Sequence, residues 1–142
     1  YVLSSDMLEH IKPKDRQKVI NELCRVSKKY MVIGFPCGEK SHKYEKIVFK
    51  IGKFFGKEHK LIKEHVVNGI PTEKEAVSYF KNKKFKIIPN SNLNLWFVNE
   101  LFNPYFWFIP WIFYPIFVYF MDKGKSYRKI FIVSKELGVS KE

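Results

Sequence analysis

Apolar positions along the chain change their period several times, and each change marks an element. Tyr1-Val2-Leu3 is a short apolar run that stops at Ser4-Ser5-Asp6, which predicts a buried strand over 1–4. Pro13 stands where a first helical turn tolerates it. Val19, Ile20, Leu23 and Cys24 follow at helical spacing, with Arg16, Lys18, Glu22 and Arg25 mostly outside. Tyr30 to Phe35 is a second apolar, partly β-branched run, closed by Pro36 and Gly38. Strand, helix, strand is the βαβ pattern of a parallel sheet.

From Ser41 to Gly56 the apolar positions are Tyr44, Ile47, Val48, Ile51, Phe54 and Phe55, while lysines at 43, 46, 50, 53 and 57 keep step beside them. Spacings of three and four on both series predict an amphipathic helix with a basic flank. Thr72 followed by Glu75 has the form of a capping box, opening a helix that runs to about Phe80. Phe85 to Ile88 reads as a strand ended by Pro89-Asn90, and Lys129 to Val133 as a last one. The predicted strands therefore lie near 1–4, 30–35, 85–88 and 129–134, with helices between them, in a single α/β domain over 1–142.

Composition supports a packed domain. Of the 142 residues 46% are hydrophobic, enough for a real core, and 18% are aromatic, which excludes a solvated tail. Cys24 and Cys37 cannot build a disulfide framework and lack paired zinc spacing, so a reducing, cytoplasmic setting is expected. Charge is more telling: 26 Lys+Arg against 14 Asp+Glu gives +12, and it is segregated. Between Lys40 and Lys86 there are 13 lysines and five glutamates, whereas Leu101–Met121 has no charge and 11 aromatics among 21 residues. That segregation predicts a surface meeting something anionic and something apolar.

The segment 101–121 reaches the ~20 residues a helix needs to span a bilayer. Pro104, Pro110 and Pro115 interrupt it, however, and Trp, Tyr and Phe are interfacial residues. Two readings stay open: a broken helix dipping into a membrane, or a buried lid over a cleft or against a partner subunit. In the first, the lysine-rich helix 41–57 and Lys123–Lys129 face anionic headgroups at the inner face of a membrane. Arginine occurs only at 16, 25 and 128, so a specific nucleic-acid reader is not expected.

The stretch Ser4-Ser5-Asp6-Met7-Leu8-Glu9-His10-Ile11 resembles the segment after the fourth strand of class I S-adenosylmethionine-dependent methyltransferases, x-x-[DE]-x-L-E-H-[IV]. The resemblance continues in order through Arg16, Glu22-Leu23-Cys24-Arg25-Val26, Val32-Ile33-Gly34-Phe35-Pro36, Glu64-His65, Gly69-Ile70-Pro71 and Tyr127–Val133. It covers most of the chain, with 101–121 the least similar part. It implies the C-terminal half of a doubly wound Rossmann-like methyltransferase sheet, with an aromatic helical insertion at 101–121 before the last strand.

The resemblance further implies S-adenosylmethionine as cofactor, lined by Ser4, Ser5, Asp6 and Met7, with the catalytic pair Glu9 and His10 near the acceptor. His10 is the candidate general base; His42 and His59 lie in lysine-rich surface sequence. Such a site fits physically, because ligands of open parallel sheets bind beyond the carboxyl ends of the strands. Methyl transfer asks the protein mainly for alignment, the sulfonium methyl being activated already. Quinone-biosynthesis methyltransferases with a similar acidic-x-x-Glu-His string are associated with a divalent metal there. The alternative is that Glu9 and His10 cap the turn and hold the following helix, and on that reading no metal is assigned. His65 is a second candidate for the cleft rim, or an ordinary polar loop residue. Cys37 is read as a small loop residue in preference to a reactive thiol, and Cys24 as core.

No Gly-x-Gly turn occurs anywhere in the chain. The expectation is therefore the later part of an enzyme, incomplete and holding its cofactor poorly by itself. The expected function is methyl transfer to a small or lipid-linked acceptor at a membrane surface. The alternatives are a non-catalytic membrane-surface or partner-binding module, and a polyanion-binding protein.

Overall fold

The structure, a computed structural model, describes residues 1–57, 60–106, 113, 115, 116, 118–120 and 124–134. The chain forms β1 (Val2–Ser5), a 3-10 turn at Leu8–His10, α1 (Pro13–Val26) and β2 (Tyr30–Pro36). It continues through α2 (Glu39–Phe54), α3 (Lys60–Asn68), α4 (Glu73–Ser78), β3 (Lys84–Asn92), α5 (Leu93–Phe106) and β4 (Ser126–Ser134).

The strands lie in the order β1-β2-β4-β3. β1 and β2 are parallel, with Val2 opposite Met31 and Ser5 opposite Gly34, as the βαβ pattern required. β4 is antiparallel to both its neighbours, and Phe131 stands between Ile33 and Ile87. The fold is thus α/β with a mixed four-stranded sheet, compatible with a Rossmann-like arrangement. The reversal of β4 was not legible from its apolar run, because strand direction is set by the connection and not by the strand's own residues.

One face of the sheet carries the core. Met31, Ile33 and Phe35 of β2 and Phe131 and Val133 of β4 alternate inward onto Leu8, Ile20 of α1, Ala76 of α4 and Phe80. The Phe35 and Phe131 rings stack at 5.1 Å and Phe80 lies 4.9 Å from Phe131, so three aromatics close the centre. α5 packs against β3, β4 and α2.

Several expectations need correction. Arg16, read as mostly outside, is buried on α1. Its guanidinium donates to the carbonyls of Leu8, Ile11, Asn68 and Gly69, and so ties the turn after β1 to the end of α3. β3 does not stop at Pro89 but runs to Asn92. It is an edge strand, where one row of N–H groups has no partner and proline is tolerated. Residues 60–68 are helical, not loop. In α2 the buried stripe is Ser41, Glu45, Val48 and Gly52, while Phe54 and Phe55 are 84% and 62% exposed. The aromatic segment begins inside α5, and 107–112, 114, 117 and 121 of the 101–121 expectation lie outside the described residues. Among the described residues no helix is long and apolar enough to cross a membrane.

Candidate functional site

β1 ends at Ser5, and the next residue cannot continue the strand. Asp6 has φ 50°, the left-handed region that aspartate tolerates better than most residues, and its N–H still donates to the Gly34 carbonyl at 2.8 Å. This sharp exit throws Leu8–His10 into a 3-10 turn across the carboxyl ends of β1 and β2. A cleft of about 280 Å³ opens there, lined by Asp6, Glu9, His10, Pro36, Leu61, His65, Ser91, Trp96, Tyr127 and Arg128. It is where a parallel pair of strands places a ligand.

Five side chains form a line through this cleft. Tyr127 of β4 donates its hydroxyl to Glu45 Oε1 at 2.6 Å, and His65 Nδ1 donates to the same oxygen at 2.9 Å. His65 Nε2 faces His10 Nε2 at 3.4 Å, and His10 Nδ1 donates to Glu64 Oε2 at 2.7 Å. Each imidazole is thus held at Nδ1 by a carboxylate, which leaves both Nε2 atoms turned toward one another. Two unprotonated Nε2 atoms repel at that distance. The arrangement needs one shared proton or a cation between them.

Glu9 adds a negative group to the same place. It is 1% exposed, and its Oε2 has no hydrogen-bond partner. Burial pushes its carboxyl above the usual range, against its own backbone N–H and the neighbouring His65. For His65 burial acts downward, but the hydrogen bond to Glu45 and the charges of Glu45, Glu9 and Glu64 outweigh it, and the net shift is upward. Tyr127 is pushed up strongly, by burial first and by Glu45 next. Its ring stacks on Trp96 of α5 at 3.9 Å, which forms an aromatic wall on one side of the cleft.

Neither the N-cap of this turn, Met7, nor that of α1, Lys12, makes a side-chain cap hydrogen bond, and Glu9 and His10 lie together with His65. Ligand atoms of Glu9, His10 and His65 all lie within 4.8 Å of one another. Two imidazoles with fixed tautomers and a buried, unpartnered carboxylate oxygen are a donor set that suits a divalent cation. The residues thus have the geometry and chemistry to hold the kind of metal associated with the acidic-x-x-Glu-His string.

The four residues expected to line a cofactor are divided by the pleat. Asp6 lines the cleft and pairs with Arg128. Ser5 is exposed and donates to Asp6 Oδ2 at 2.9 Å. Ser4 instead lies toward the core side, donating to Met7 Sδ at 3.8 Å, and Met7 packs against the core. For S-adenosylmethionine the fit is to the sulfonium end: the carboxylate of Glu9 and the Trp96–Tyr127 wall suit a cation. Nothing among the 142 residues supplies a Gly-x-Gly turn for the nucleoside.

Sequence reasoning missed Glu45, Trp96 and the depth of His65. Glu45 had a visible signal, as a lone acid on the inner phase of a lysine-coated helix. Trp96 had none. Comparison of the chain with protein-family models, curated proteins and solved structures finds no match.

Proposed function

We propose that this cleft carries out methyl transfer from S-adenosylmethionine to a small or lipid-linked acceptor. The observation that supports it most is the pairing of Nε2 atoms of His10 and His65 at 3.4 Å beside Asp6 and Glu9, beyond the carboxyl ends of β1 and β2. A class I methyltransferase segment resembles the residues that build this corner.

Bound S-adenosylmethionine supplies a methyl group already activated by its sulfonium charge. The chain's own residues do the rest. The Trp96–Tyr127 wall and the buried Glu9 meet a cation in the cleft, beside the neutral Asp6–Arg128 pair. As an acceptor hydroxyl or amine bonds to the methyl carbon and the carbon–sulfur bond breaks to leave S-adenosylhomocysteine, the acceptor's proton passes to an Nε2 of the His10–His65 pair. Glu64 and Glu45 stabilise the imidazolium so formed through Nδ1–H. With a divalent cation held by Glu9, His10 and His65 instead, both Nε2 atoms would be its ligands and no longer the base, and the cation's chemistry would be to polarise an acceptor oxygen and lower its pKa.

The test is release of S-adenosylhomocysteine, measured on this chain and on the product of the whole reading frame that contains it. Removing the base in His10→Ala or His65→Ala should lower turnover by roughly 10²–10⁴-fold. Glu9→Gln should weaken any dependence on divalent cation. Failure of both proteins to bind S-adenosylmethionine would overturn the reading.

A further inference from the structure

α2 ends abruptly and rigidly. Gly56 N–H donates to the Lys53 carbonyl at 3.1 Å and Lys57 N–H to Gly52 at 2.8 Å, with Gly56 at φ 70°. This is a Schellman stop, and it fixes the direction of the last turn. Phe54 and Phe55 stand at that stop with ring centroids 5.2 Å apart, and both are exposed. Leu61, the second residue of α3, is 65% exposed and also lines the cleft with His10 and His65. Leu61 and His65 are four residues apart on one helix face, so the apolar start of α3 is continuous with the mouth of the site.

Lysines stand near this end. Lys50 and Lys53 of α2 and Lys60 and Lys63 of α3 are exposed there, with Lys46 further back along α2. Of the glutamates on these two helices, Glu45 is buried and Glu64 is engaged by His10, which leaves Glu39 at the far end of α2. Exposed aromatics at the tip of a lysine-coated helix are the composition of an interfacial anchor on anionic lipid. A single-stranded polyanion would meet the same charge, but it has no use for an aliphatic Leu61 joining the corner to the cleft.

We propose that the corner between α2 and α3 seats the protein on an anionic bilayer. Phe54, Phe55 and Leu61 enter the interface, and the cleft opens toward the lipid. This rests on the reading of the cleft as an acceptor site and gives that acceptor a class: an amphiphile whose tail stays in the bilayer while its polar group reaches His10 and His65.

Co-sedimentation with phosphatidylcholine vesicles, with and without phosphatidylglycerol, tests it on the full chain. The wild type should partition onto the anionic vesicles only, and less at high salt. Lys50→Gln with Lys53→Gln should lose roughly 25-fold in partition. Phe54→Ser with Phe55→Ser should lose about tenfold or more. On the unaltered protein, a gadolinium-chelate lipid should broaden the amide resonances of 50–57 and 60–63 before others.

The proposal is overturned if the corner variants bind like wild type, if broadening falls elsewhere, or if the chain ignores vesicles and binds single-stranded RNA. Vesicle binding without methyl transfer supports this interface and removes the catalytic reading. Methyl transfer to a water-soluble acceptor without vesicle binding does the reverse.

Discussion

At the scale of single residues, burial sorts the candidate chemical groups more sharply than residue type does. Cys37 is the plain case: it follows β2, sits fully buried, and burial pushes its thiol up to about 11. It should resist thiol reagents at pH 8 in the native state and react at once in denaturant, a kinetic difference read by Ellman titration. The same shift has a stability consequence. The protonated thiol is favoured in the fold, so its contribution is complete below the unfolded value near 9 and is lost as pH rises through about 11. Tyr127, shifted in the same direction, adds to that alkaline loss. Denaturant midpoints measured from pH 8 upward should fall across this window. Buried acids show the opposite economy of signal. Glu9 and Glu45 each keep a buried oxygen with no partner, and that of Glu9 lies in the cluster with His10 and His65, where a cation would meet it.

At the scale of elements, legibility followed how local each signal was. The capping box was readable because its partners lie three residues apart, and both of its hydrogen bonds form: Glu75 N–H to Thr72 Oγ1 at 3.2 Å and Thr72 N–H to Glu75 Oε2 at 2.7 Å. Thr72→Ala should cost about 1 kcal/mol in a denaturant titration. Strands near 1–4, 30–35 and 129–134 were readable from apolar runs, and α1 from Pro13 and its spacing. β1 is not the buried strand expected, since it lies at the sheet edge with Leu3 79% exposed. What failed depended on distant groups. Arg16 looked like surface because nothing near it in sequence announces the carbonyls of Asn68 and Gly69. α2 was found, but its buried phase was assigned by hydropathy, which favoured Phe54 and Phe55 over Glu45. Tertiary contacts with His65 and Tyr127 draw Glu45 inward instead. His65 was a candidate for the cleft rim, which it does line, but its helix was not foreseen for want of a helical pattern in Lys60–Asn68.

At the scale of the whole molecule, a mixed sheet brings the turn after β1, helices α2 and α3, and the start of β4 to one corner. Half of that corner, Asp6, Glu9 and His10, was legible as a motif. The other half, Glu45, His65, Trp96 and Tyr127, comes from four separate elements and exists only once the sheet has formed. Methyl transfer is the reading that uses both halves together: a cation-attracting wall, a tautomer-fixed histidine pair, and an apolar approach along Leu61. The most direct test of that claim is photo-crosslinking of radiolabelled S-adenosylmethionine, followed by tryptic mapping. The account predicts label on the peptide Tyr1–Lys14, which holds Asp6, Glu9 and His10, and protection by S-adenosylhomocysteine. Label that appears only elsewhere, or incorporation that S-adenosylhomocysteine does not suppress, would contradict it.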